Sequence, residues 1–173
     1  MTARVVRLAL VLVTLVLLQV TLFPHLRVAG VAPDLGLVAT VIVGYRIGPD
    51  RGAVFGFAAG LALDLFLRTP LGLSALALSV VGFATGAVSG AMMRSAMWVP
   101  PLLGLLGGLV GGTVFVLVGV LVGQEHLWSL RSARVVAVGS VYDALLTPLL
   151  FPVVAWAAGP PEEAVRSPAG WGA

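Results

Sequence analysis

Residues 44–74, GYRIGPDRGAVFGFAAGLALDLFLRTPLGLS, set Gly48, Gly52, Gly56 and Gly60 four residues apart along an apolar run that closes on Asp64. On a helix this spacing brings the glycines to one face. Glycine weakens a helix, and a carboxylate near hydrocarbon costs about 2.5 to 3.5 kcal/mol on insertion scales, so a lipid-facing helix has no use for the pattern. The segment therefore packs against other protein, and Asp64 has a partner or a role there.

Outward from this stretch the chain stays apolar. Of 173 residues, 60% are hydrophobic and 10% charged, with a mean hydropathy of +1.11, whereas a soluble domain carries about 25% charged residues. This is the composition of an integral membrane protein. The apolar runs continue to Trp156, which leaves no room for a separate soluble domain. The absence of cysteine excludes disulfides, thiolate chemistry and Cys-based metal sites. All ten basic residues are arginines, scattered in ones and twos at a net charge of +3, so no basic stripe for nucleic acid exists.

Six apolar segments, each bounded by charge or by Pro and Gly, predict an all-α six-helix transmembrane bundle in one domain over residues 1–158. The expected helices are 5–23, 35–47, 52–67, 71–93, 99–123 and 135–158, followed by a flexible tail over 159–173. The second and third rise only roughly 20 to 24 Å, less than the ~30 Å hydrocarbon core. Two separate short helices are expected in preference to a re-entrant hairpin, with Arg46, Pro49, Asp50 and Arg51 forming a polar, helix-breaking turn. Pro33 and Asp34 suit a helix start, the proline in the first turn and the acid near the positive end of the dipole, and Asp34 reads as a cap in preference to a functional carboxylate. The first segment begins with Arg4 and Arg7 but is longer than a signal peptide's apolar core and has no clear cleavage site, so it reads as a retained helix. Arginines in alternate loops favour both termini in the cytoplasm, six inside (Arg4, Arg7, Arg46, Arg51, Arg94, Arg166) against four outside (Arg27, Arg68, Arg131, Arg134).

Small-residue stripes recur. The third segment carries Gly52, Gly56 and Gly60, the fourth Gly82, Gly86 and Gly90, and the fifth Gly104, Gly108 and Gly112. Such stripes let membrane helices approach closely, either within one bundle or against a partner's helix. Of the acids inside apolar segments, Asp64 has Arg68 one helical turn on, an ordinary ion-pair spacing. Asp143 has no basic residue within a turn and is expected to face the bundle interior, joining Tyr142 in a polar cluster that fixes the last helix against its neighbours.

Catalytic readings fail on order and spacing. An intramembrane aspartyl protease has a Tyr-Asp motif followed later by Gly-x-Gly-Asp, whereas here Asp64 precedes Tyr142-Asp143 and follows Gly60-Leu61-Ala62-Leu63. Ser74, in Gly72-Leu73-Ser74-Ala75-Leu76, lacks the second glycine of a nucleophile elbow, and neither histidine, His25 or His126, falls on an expected helix. No metal-ligand spacing or phosphate loop occurs, so no catalytic, cofactor or metal residue is expected.

Several ordered motifs resemble those of the rod shape-determining MreD family. They are Pro33-Asp34-Leu35, the run from Gly52 to Leu61, Asp64-Leu65, Pro70-Leu71-Gly72-Leu73-Ser74-Ala75-Leu76, and the C-terminal stretch from Tyr142 to Phe151 with Pro148 and Pro152. The family more often has asparagine at the place of Asp143. The resemblance implies a non-catalytic inner-membrane scaffold of the cell-elongation machinery. Its implied partners are a bitopic MreC-like protein and, through it, an MreB-like filament and RodA with a class B penicillin-binding protein. Asp34, Asp64, Pro70 and Gly72 would then shape the region from the second to the fourth helix. The family's fold is also similar to the six-helix S components of energy-coupling-factor transporters. That likeness supplies an alternative, a vitamin-type small-molecule binding subunit, for which Asp64, Tyr142, Asp143, Gln124 and His126 are the candidate pocket residues.

Overall fold

A computed structural model describes residues 2–22, 30–66, 70–89, 98–124 and 127–160. Its architecture is all-helical: α1 (Thr2–Thr21), α2 (Leu35–Ile47), α3 (Pro49–Asp64), α4 (Leu73–Ser89), α5 (Val99–Leu121) and α6 (Leu130–Ala158).

The short helix α2 is the hub. It packs on all five other helices, and every residue in it except Arg46 is buried. A helix that is apolar all round belongs inside protein, and one ringed by other helices has no need to match the bilayer thickness by itself. This accounts for its 13 residues. Helices α1, α5 and α6 are each long and apolar enough to cross a membrane. Their outward faces expose Val5, Leu10, Leu17, Leu117, Leu145 and Leu149. An apolar perimeter around an apolar centre is the surface of a membrane protein.

Glycines set the closest approaches. A Cβ added at Gly44, Gly52 or Gly82 would fall within 3.0 Å of backbone in another of these helices, so α2, α3 and α4 meet nearly main chain to main chain. The α3–α4 seam continues with Gly56 against Leu78, Gly60 against Ser74 and Ala75, and Gly86 against Gly48 and Pro49. A second seam joins α5 to α6, with Gly104 against Asp143, Ala144 and Thr147, Gly108 against Ser140, and Gly112 against the Val136 side chain. All eight of these expected stripe glycines therefore meet helices of the same chain. Gly90 lies outside the described residues.

Helix boundaries differ from expectation where local capping decides them. The expected polar turn between the second and third segments shrinks to Gly48, at φ +94°, and Pro49, Asp50 and Arg51 form the first turn of α3. Proline lacks the N–H that the first turn would leave unpaired, so it starts the helix instead of breaking it. Helix α6 begins at Leu130, five residues earlier than expected, because the Ser129 side chain caps it by accepting from the Ser132 amide at 3.2 Å. It also runs through Pro148 and Pro152 to Ala158. Helix α1 starts at Thr2 and α4 at Leu73, and α5 ends at Leu121. The expected ends at Phe23, Leu67 and Met93 lie outside the described residues, as does most of the expected tail.

One end of the bundle is tied by arginines. Arg46 Nη2 donates to the Gly159 carbonyl at 3.1 Å and Arg4 Nη2 to the Pro160 carbonyl at 3.2 Å. The Arg7 guanidinium lies 5.1 Å from the centre of the Trp156 ring. These contacts join the first helix and the hub to the end of α6, supplying donors where helical carbonyls run out of partners.

Candidate functional site

At the opposite end, acids and one amide hold helix starts. Asp34 is the N-cap of α2, with extended backbone at φ −106° and ψ 96° and a carboxylate oxygen accepting from the Leu37 amide at 3.0 Å. The expected cap is thus present at Asp34, whereas Pro33 precedes the cap and lies outside the first turn in which the sequence had suggested it. From α1, Gln19 reaches the same point. Its Nε2 donates to the Pro33 carbonyl and its Oε1 accepts from the Leu35 amide, both at 2.9 Å. From α6, the Asp143 Oδ1 accepts from the Asp34 amide at 2.9 Å. Three helices therefore converge on the start of the hub, and each polar side chain satisfies main-chain groups that α2 cannot satisfy within itself.

Asp64 performs the same task for α4. Only 2% exposed, it closes α3 and accepts from the amides of Gly72 at 2.7 Å, Ser74 at 3.2 Å and Ala75 at 3.4 Å. Gly72 sits at φ +97°, a conformation that L side chains rarely adopt, and this bend turns its amide toward Asp64. Arg68, the ion-pair partner expected from spacing, lies outside the described residues. Among the described residues the acid's contacts are to backbone amides, and they fix the α3–α4 junction.

Above the start of the hub lies a cavity of about 770 Å³ to which all six helices contribute. Leu37, Leu63, Leu78 and Phe115 are among its walls, and Gln19, Asp34, Ser140 and Asp143 supply polar groups. Missing side chains create the space: among the described residues an added Cβ at Gly139, on α6, would meet only the Val31 Cγ1, at 3.7 Å. Asp143 is 3% exposed. Among the described residues its second carboxylate oxygen has no hydrogen-bond partner, so this oxygen can accept from a donor placed in the cavity.

The expected site residues separate accordingly. Asp143 faces inward and fixes α6 to α2, as its isolation from basic residues implied. Tyr142 is half-buried and makes no hydrogen bond among the described residues, so it is not part of that polar cluster. Of the candidate pocket residues, Asp143 lines the cavity while Asp64, Tyr142 and Gln124 do not, and His126 lies outside the described residues. Pro70 accepts from the Leu73 amide at 3.2 Å, and Pro148 and Pro152 occupy exposed positions within α6. Sequence reasoning missed Gln19, although a lone amide in a twenty-residue apolar helix signals a buried partner. It also missed Gly44, which continues the small-residue spacing of Gly36 and Thr40.

The fold and these joints define a helical membrane protein whose bundle is locked by side-chain caps. No family model, curated protein or solved structure matches the chain.

Proposed function

We propose that this chain is a multi-pass scaffold subunit of the cell-elongation machinery in a bacterial inner membrane. On this reading it crosses the bilayer six times with both termini cytoplasmic. It binds a bitopic MreC-like protein and thereby couples an MreB-like filament to RodA and its class B penicillin-binding protein. The observation that carries the reading is where the motif residues fall. Pro33-Asp34-Leu35 forms the start of the hub, Asp64 with Gly72 and Ser74 forms the α3–α4 junction, and Asp143 joins α6 to α2. Two of the stretches that carry the MreD resemblance, Pro33-Asp34-Leu35 and Asp64 with Gly72 and Ser74, thus supply joints between helices, and a bundle jointed in this way suits a docking platform. Co-purification from membranes with a co-expressed MreC-like partner tests it. A stable complex is expected, and failure to form one with a correctly folded chain contradicts the proposal.

The cavity favours a second reading, a small-molecule binding subunit similar to the S components of vitamin transporters. Its location at the end of the bundle opposite the arginines is the outer face if the termini are cytoplasmic.

A further inference from the structure

We infer that the cavity beside Asp34 and Asp143 binds a ligand carrying an ammonium group on an apolar body. This deepens the second reading by naming a ligand chemistry, and it stands apart from the scaffold reading. The walls offer aliphatic and aromatic surface at Leu37, Leu63, Leu78 and Phe115, which favours an apolar body through the area it removes from water. The polar side of the cavity is acidic. Asp34 and Asp143 both line it, and Asp143 is buried with one oxygen unpartnered among the described residues.

The only cation among the described lining residues is Arg131. It is exposed and sits twelve residues before Asp143 on α6, a separation of about 18 Å along the helix axis. No described cation of the protein therefore neutralises the acids within the cavity, whereas a ligand ammonium would pair with them by charge-assisted hydrogen bonds. A carboxylate or phosphate ligand would meet the two acids where it needs a counter-ion, and a neutral alcohol of the same shape would gain the walls but not the charge-assisted bond.

The test uses the full chain in nanodiscs with phenylbutylamine, phenylbutanol and phenylbutyrate, which share an apolar body and differ in the head group. Binding is measured by calorimetry, with empty nanodiscs subtracted for partitioning into lipid. The amine is expected to bind saturably and about tenfold or more tightly than the alcohol, the scale of one charge-assisted hydrogen bond. The carboxylate is expected to show no saturable binding. Asp143→Asn keeps an acceptor for the Asp34 amide while removing the charge, and should weaken the amine by a similar factor without lowering thermal stability. Gly139→Leu puts a side chain into the cavity, its Cβ meeting no backbone among the described residues, and should abolish binding of both the amine and the alcohol. No saturable amine binding, equal binding of amine and alcohol, or amine binding unchanged in both folded variants would each overturn the inference. Co-purification with an MreC-like partner is read separately, so the two proposals fail independently.

Discussion

Replacing Asp64 isolates the claim that this buried acid is a helix cap supplied from the preceding helix. Alanine would remove the acceptor for the amides of Gly72, Ser74 and Ala75, which lie at 2.7, 3.2 and 3.4 Å. A buried donor left without a partner costs about 1 to 3 kcal/mol, less where the bond was long, so the two shorter contacts dominate and the total is about 2 to 4 kcal/mol. For a chain of this size that lowers the unfolding midpoint by roughly 4 to 16 °C. Asparagine retains one carbonyl oxygen and should lose about half as much. The contrast between the two variants identifies the interaction, since an ion pair to Arg68 would make Asn as damaging as Ala, whereas amide capping ranks Asn between Ala and the native acid. Thermal unfolding of the purified protein in detergent, followed by size-exclusion recovery, gives the ordering. An Asp64→Ala midpoint within a degree or two of the native protein refutes the capping argument.

Other substitutions probe the remaining joints. Gly86→Leu places a side chain against the Gly48 and Pro49 backbone, and should cost about 3 kcal/mol or more by overpacking; a monodisperse, undestabilised variant contradicts the α3–α4 seam. Gln19→Leu strands the Leu35 amide and the Pro33 carbonyl, with an expected loss of about 2 to 4 kcal/mol in the same unfolding assay. Asp143→Leu leaves the Asp34 amide without its acceptor and should cost about 1 to 3 kcal/mol, so unchanged stability in that variant removes the α6–α2 joint.

Much of this arrangement was legible in the chain because membrane packing is written in local spacing. Glycines four apart give a helix a bare face whatever it meets, so the seams of α3, α4 and α5 could be read before their counterparts were known. The bounds of α2 were equally plain, set by Asp34 on one side and Gly48 on the other. What resisted reading depends on contacts between distant segments. Gln19 finds its partners fourteen and sixteen residues on, at the start of the next helix. Asp64 suggests an ion pair because Arg68 is near in sequence; Arg68 lies outside the described residues, and the contacts Asp64 makes among them are to amides brought over it by the turn at Gly72. Tyr142 and Asp143 are sequence neighbours, but adjacent helical positions point about 100° apart, so the two side chains do not share a cluster. The cavity was hidden for a different reason, since glycine in a stripe signals close packing and only the folded bundle distinguishes a bare face that is filled from one, such as that at Gly139, that is left open.

The start of α2 is gripped between α1 and α6. Oxidative cross-linking in native membranes addresses this directly, because the chain has no cysteine of its own and an added Cβ at Gly139 lies 3.7 Å from the Val31 Cγ1. The double variant Val31→Cys with Gly139→Cys should form an intramolecular disulfide in high yield, seen as a reducible mobility shift, while Val31→Cys paired with the outward-facing Leu145→Cys should not. An inserted, stable Val31–Gly139 pair that fails to cross-link under oxidant would contradict the arrangement.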